Sequence, residues 1–249
     1  FFIFLFLFSL LIRLPVILLF GDKSLVNEWG NLVHNLITHG KLAYDLDGFL
    51  LPNLYMPPLY VYYLYFFSFF NLEDKNYILL ILLSQILLAS LSVAVFYKIN
   101  KLFFSQKISF YSSLILSLFP IYVYASGQIS SISLQVFLTI LYFYFFFLFV
   151  KKKNISSIIL FSFTSGLLIL LRGEFWAIFV LSLFYLFLFF KISIKKILLI
   201  ILVTLITTSP YLIRNVLIFE KITILESFGY NLWKGNHPYA MENSRVEGT

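Results

Sequence analysis

The first twenty residues, Phe1 to Phe20, carry a single charged side chain, Arg13, and this run constrains the chain more than any other feature. A helix of about 20 apolar residues rises about 30 Å, which matches the hydrocarbon core of a bilayer. Similar runs recur at Tyr77 to Tyr97, Ile108 to Ser126, Ile132 to Val150, Ile155 to Leu171, Phe175 to Phe190 and Ile197 to Leu212, the last three near the short limit. The pattern predicts an all-α integral membrane protein, a polytopic helix bundle of seven spans. Pro57 to Phe70 is also apolar but only 14 residues long, and it opens with two prolines. Those features fit a re-entrant or interfacial helix better than a span. Composition agrees with the membrane class: 12% of the residues are charged, against about 25% in an ordinary soluble domain.

The lysines set the sidedness. Cytoplasmic loops are enriched in Lys and Arg, and with seven spans the loops Lys98 to Lys107, Lys151 to Asn154 and Lys191 to Lys196 share one side and hold nine of the 18 basic residues. The start of the chain is then inside and its end outside, in a bacterial-type plasma membrane. The same lysines account for the net charge of +7, so no nucleic-acid partner is needed. Phe1 to Phe20 is too long for a signal peptide and no small-residue cleavage site follows, so it reads as a retained first helix. The chain begins at Phe1 rather than Met and ends in the polar run Met241 to Thr249, which reads as a fragment open at both ends. Cysteine is absent, which excludes disulfides, thiolate metal sites and a Cys nucleophile, and the three histidines (His34, His39, His237) make a poor metal cage.

Residues 1–249 read as one membrane domain with two outer regions, 21–76 and 213–249, the second cut short. The first opens with Asp22 and then Ser24 as an N-cap, followed by Leu25, Trp29, Leu32, Val33, Leu36 and Ile37 at helical spacing and Gly40 as the stop. This predicts an amphipathic helix on the membrane surface. Glu28 and Asn35 lie together at the edge of the apolar stripe with Asn31 and Asn27 nearby. A carboxylate at that boundary is partly desolvated yet within reach of a solvated substrate, as a general base must be. The plainer reading of Glu28 is a first-turn acid favoured by the helix dipole. His34 and His39 read as solvated surface residues. Asp45-Leu46-Asp47 matches the Asp-x-Asp pattern of metal-dependent nucleotide-sugar transferases, but no Rossmann-like region accompanies it, and no metal site is assigned. In the second outer region, aromatic rings suited to stacking on sugars stand beside polar side chains at Tyr230, Trp233 and Asn236.

The order of short motifs is more specific than any one of them. Glu28-Trp29, Asn35-Leu36 and Gly40 are followed by Pro57-Pro58-Leu59-Tyr60 and Leu171-Arg172-Gly173-Glu174. Then come Pro210-Tyr-Leu-Ile-Arg-Asn215 and Gly229-Tyr-Asn-Leu-Trp-Lys-Gly-Asn-His-Pro238. Over nearly the whole chain this order resembles the GT-C-type polyprenyl-phosphate-dependent glycosyltransferases, the superfamily of the protein O-mannosyltransferases and lipid A aminoarabinose transferases. The resemblance implies inverting transfer of a sugar from a polyprenyl-phosphate-linked donor to a glycan, lipid or protein acceptor on the outer face, and no cofactor is assigned besides that donor substrate. It also implies an acidic base in the first outer loop and cationic side chains on the phosphate, which is the arrangement a direct displacement requires.

Members of this family often carry Asp immediately before the loop Glu. Here that position is Asn27, which cannot accept a proton, so the base is Glu28 or Asp22, with Glu28 favoured because Asp22 precedes the cap. Candidates for the phosphate are Arg13, Arg172 and Arg214. Each has a plainer role: snorkelling from the first helix, an ion pair with Glu174, and anchoring at the interface, respectively. Lys234 and His237 join Tyr230, Trp233 and Asn236 as substrate contacts if the tail folds over the site. Two other readings remain open: a transporter or flippase for a lipid-linked sugar, and a member that binds the donor but has lost its base.

Overall fold

The structure, a computed structural model, describes residues 1–236. In chain order these form α1 (Phe2–Phe20), α2 (Glu28–His39), β1 (Ala43–Leu46), β2 (Phe49–Pro52), α3 (Pro58–Ser68) and α4 (Asp74–Asn100). There follow α5 (Gln106–Leu118), α6 (Pro120–Ala125), α7 (Ile132–Lys152), α8 (Ile155–Leu171), α9 (Phe175–Leu188), α10 (Ile194–Phe219) and α11 (Ser227–Asn236).

Among the described residues four helices are long and apolar enough to cross a membrane: α1, α4, α7 and α10. The seven-span expectation therefore reduces to four helices of spanning length, with α8 and α9 as shorter apolar helices. The expected single helix from Ile108 to Ser126 is two helices. Phe119 precedes Pro120 and takes an extended conformation (φ −62°, ψ 112°), because the proline ring clashes with an α-conformation in the residue before it. The last spanning helix runs on to Phe219 rather than stopping at Leu212, which places Arg214 within the helix instead of at its end.

α4 is the centre of the bundle: 56% of its most apolar window is buried, against 22% to 28% in the other three long helices. It packs on α1, α5 and α7, while α7 packs on α8 and α8 on α10. Apolar side chains gain little by leaving lipid for one another, so close approach depends on small residues. Ser109, Ser113 and Ser117 line the buried face of α5, and Ser162, Ser165 and Gly166 that of α8. The basic loops meet at the end where the chain starts. The Lys98 ammonium lies 4.5 Å from the Phe2 ring centroid, Phe103 meets Phe147 edge-on at 4.7 Å, and Lys196 donates to the Lys153 carbonyl at 3.1 Å.

The first outer region is not purely helical, which amends the all-α expectation. Strands β1 and β2 pair antiparallel with Leu46 opposite Phe49. Asp47 (φ 51°) and Gly48 (φ 86°) form the two-residue turn between them, and both turn positions of such a hairpin need positive φ, for which Asp-Gly is well suited. The Asp45 carboxylate accepts the Gly48 N–H at 2.9 Å, so the Asp-x-Asp triplet forms a turn.

Helix α2 starts at Glu28 and is capped by Asn27, whose side chain accepts the Gly30 N–H, and not by Ser24. Gly40, in the left-handed conformation, ends it. Its apolar residues Leu32, Val33 and Leu36 are buried, and the Trp29 ring meets Tyr60 edge-on at 5.0 Å. The stripe thus packs on α3, where the sequence had suggested a membrane surface. α3 itself has 11 residues, a length of about 16 Å that is too short to span.

The α8–α10 contact is tight enough to test. A Cβ on Gly166 would lie 2.6 Å from the Thr207 Cβ and 3.2 Å from the Thr204 carbonyl. Gly166→Leu should destabilise the detergent-solubilised protein by about 1–3 kcal/mol, the range for overpacking a filled core. Thermal unfolding checks this, and an unchanged midpoint would contradict the contact.

Candidate active site

The residues around Glu28 come from three short pieces of chain. A cavity of about 630 Å³ is lined by Asn27, Glu28, Asn31, His34, Tyr44 and Asp45, among others. Glu28 is exposed at the first position of α2 and makes no hydrogen bond or ion pair among the described residues. The amides beside it are committed. Buried Asn35 donates to the Asn31 side chain at 3.0 Å and to the Ala43 carbonyl at 2.9 Å, tying α2 to β1. The arrangement offers one uncommitted carboxylate in an open cavity, surrounded by groups suited to binding hydroxyls.

Asp22 is not in that cavity. Its carboxylate accepts the Ile129 N–H at 2.6 Å and its own N–H donates to the Gly127 carbonyl at 3.1 Å. Although Asp22 precedes the cap of α2, these contacts hold it in place.

The three arginines occupy three different environments. Arg13 is fully buried between α1, α5 and α6. It donates to the Ser9 carbonyl at 3.1 Å and the Ser117 carbonyl at 3.2 Å, and it lies 4.9 Å from the Tyr122 ring centroid. Its guanidinium faces the helix bundle rather than snorkelling to the interface. Arg172, the cap of α8, donates to the Gln135 side chain at 3.1 Å and stands 4.0 Å from Glu174. Arg214 closes the outer region: it donates to the carbonyls of Asn53 (2.8 Å) and Leu42 (2.9 Å), on either side of the hairpin, and to the Asn215 side chain. All three acceptors are neutral, so none of them offsets the charge of this guanidinium at the base of the loop. Arg214 also lines a small cavity of about 220 Å³ with Tyr62, Thr207 and Tyr211.

The tail does come back to the first outer region. The Glu226 N–H donates to the Leu54 carbonyl at 3.0 Å, the Tyr55 hydroxyl donates to Asn231 at 3.1 Å, and Tyr230 meets Tyr55 edge-on at 5.5 Å. Tyr230 and Trp233 are exposed and 6.0 Å apart. Lys234 belongs to the same helix, α11, and Asn236 donates to the Leu232 carbonyl. His237 lies outside the described residues. A cavity of about 720 Å³ opens between α8, α10 and residues 222–231, with Glu174 and Asn231 among its polar lining and Leu205, Leu212, Ile224 and Phe228 among its apolar lining.

Several residues that shape the site carried no signal in the sequence reading. Tyr44 is the clearest, and the Asp47-Gly48 turn signal would have placed it on a hairpin. Its hydroxyl is buried without a hydrogen-bond partner among the described residues. Burial first, and the charge of nearby Glu28 second, hold its phenol pKa well above the ordinary value, so Tyr44 stays neutral. A buried polar group without a partner costs about 1–3 kcal/mol. Tyr44→Phe should therefore leave the thermal midpoint unchanged or raise it, and a clear fall would reveal a partner for the hydroxyl.

A family model described as dolichyl-phosphate-mannose-protein mannosyltransferase matches residues 55–213. No curated protein and no solved structure matches the chain. The matched range runs from the turn before α3 through most of α10 and takes in Arg172 and the Pro57-Pro58 element. With more than half of its length matched and its helices apolar, the chain belongs to the dolichyl-phosphate-mannose-protein mannosyltransferase family and is a membrane glycosyltransferase of the GT-C kind.

Proposed function

We propose that the protein transfers a sugar from a polyprenyl-phosphate donor to a hydroxyl of a glycan, lipid or protein acceptor, with inversion at the anomeric carbon and Glu28 as general base. The single observation that carries this reading is the uncommitted Glu28 carboxylate in the outer-region cavity. In the displacement, Glu28 takes the proton of the acceptor hydroxyl as its oxygen bonds to the anomeric carbon. The bond from that carbon to the phosphate oxygen breaks, and the electron pair leaves with polyprenyl phosphate. Arg172 and Arg214 supply positive charge for the departing phosphate, Arg214 while also holding the loop. The apolar cavity beside the Arg172 turn suits the isoprenoid chain. Asn27, which stands where relatives often carry Asp, serves as the helix cap. The gathering of the lysine loops around the start of the chain supports a cytoplasmic start and an outward-facing Glu28 cavity in a plasma membrane.

Glu28→Gln keeps the size and polarity of the side chain but cannot accept the proton. Turnover should fall by about 10²- to 10⁴-fold, the usual contribution of a general base, with donor affinity little changed. Consumption of a panel of labelled polyprenyl-phosphate sugars by the full-length protein in membranes checks this, and a fully active variant would remove Glu28 as the base. Arg172→Gln should instead raise the donor KM by about tenfold, as expected for loss of a hydrogen bond to a charged group.

A further inference from the structure

Between α6 and α7 the chain passes through Gly127, Gln128 and Ile129, and the main chain of this strap is taken up by groups from elsewhere in the fold. The Gly127 carbonyl accepts the Asp22 N–H at 3.1 Å, and the Gln128 carbonyl accepts the side-chain amide of buried Gln85 at 2.8 Å. Gln85 is held in turn by the Tyr60 hydroxyl, which donates to it at 2.9 Å. The Gln128 side chain donates to the Phe20 carbonyl at the end of α1, at 2.8 Å.

Ile129 is the centre of the arrangement. Its N–H donates to the Asp22 carboxylate at 2.6 Å, and its carbonyl accepts the Asn27 amide at 3.4 Å. The link from α1 to α2 is thus tied near both ends to one residue that is only 3% exposed. Glu28 follows Asn27 directly, so its main-chain position is set by this tie.

The chemistry of the Asp22 contact does not need a charge. The Ile129 N–H requires one acceptor oxygen, which a carboxylate and a carboxamide both provide. Proton abstraction has the opposite requirement, because a carboxamide cannot take the proton.

We infer that Asp22 is a positioning residue: by accepting the Ile129 N–H it anchors the α1–α2 link to the 127–129 strap and sets where Glu28 stands, and it takes no proton in the reaction. This rests on the reading of Glu28 as the base. Asp22 acts through Glu28 and has no contact with substrate. A displacement of about 1 Å at a catalytic group costs on the order of 10²-fold in rate, so the tie matters to turnover even though it lies outside the cavity.

The test compares wild type, Asp22→Asn, Asp22→Ala and Glu28→Gln in the full-length protein in membranes, with labelled polyprenyl-phosphate sugars as the donor panel. Asp22→Asn keeps the acceptor oxygen and should retain kcat within about threefold, with the same pH profile as wild type, since one neutral hydrogen bond replaces one to a charged group. Asp22→Ala removes the acceptor and should lower kcat at least about tenfold, with donor KM unchanged, as expected for a base moved out of line. If Asp22→Asn is as inactive as Glu28→Gln while still folded, Asp22 is needed for its proton chemistry and the inference is overturned. A fully active Asp22→Ala overturns it as well, because the tie would then be dispensable. If Asp22→Ala does not fold, an active Asp22→Asn still excludes proton transfer by Asp22 and keeps the anchoring role. Full activity in Glu28→Gln would instead sink the assignment of the base, an outcome read independently of the Asp22 variants.

Discussion

The two hydrogen bonds on the main chain of Ile129 fix the geometry around Glu28. Residues 21–27 have no helix or strand ladder of their own and little apolar surface to bury. A segment of that kind is held only where its polar groups find partners. Asp22 and Asn27 find theirs on a strap that is itself fixed by Gln85 from the central helix α4. The position of an exposed carboxylate is thereby referred to the most buried of the four long helices.

The rest of the outer region follows the same logic. Asn35 joins α2 to β1, Arg214 joins α10 to both flanks of the hairpin, and Tyr55 joins the turn before α3 to α11. Each tie consists of polar contacts, local in the case of Asn35 and between segments far apart in sequence for Arg214 and Tyr55. The helices beneath are held differently, by small residues that let backbones approach and by apolar contact along their length. The protein therefore joins a bundle fixed by shape to a loop layer fixed by hydrogen bonds. The base proposed above, Glu28, belongs to the loop layer.

Arginine illustrates how much one residue type varies with its surroundings. Arg13 is locked among serines and a tyrosine in the bundle, Arg172 sits half-exposed at a helix end beside Glu174, and Arg214 clamps the loop through neutral carbonyls. A charge paired only with neutral acceptors keeps its long-range field, whereas one beside a carboxylate is partly cancelled.

The sequence alone determined the membrane class, the existence of the apolar helices, the short helix after Pro57-Pro58 and the closeness of Glu28, Asn31 and Asn35. All of these follow from local periodicity and composition, which involve residues within a few turns of one another. It also carried the family, which the match over residues 55–213 shows; of the motifs, Pro57-Pro58-Leu59-Tyr60 and Leu171-Arg172-Gly173-Glu174 lie wholly inside that range. Only the tertiary structure decided that Asp22 is anchored while Glu28 is free, that the stripe of α2 packs on α3, and that Arg214 reaches Leu42 and Asn53. It also decided that the helix expected to end at Ser126 breaks at Phe119. That break had a local cause in Pro120, but the other outcomes depend on which distant backbone group lies opposite each side chain. A linear pattern does not encode those pairings, because they arise only when the helices have packed and brought residues such as Asp22 and Ile129 together.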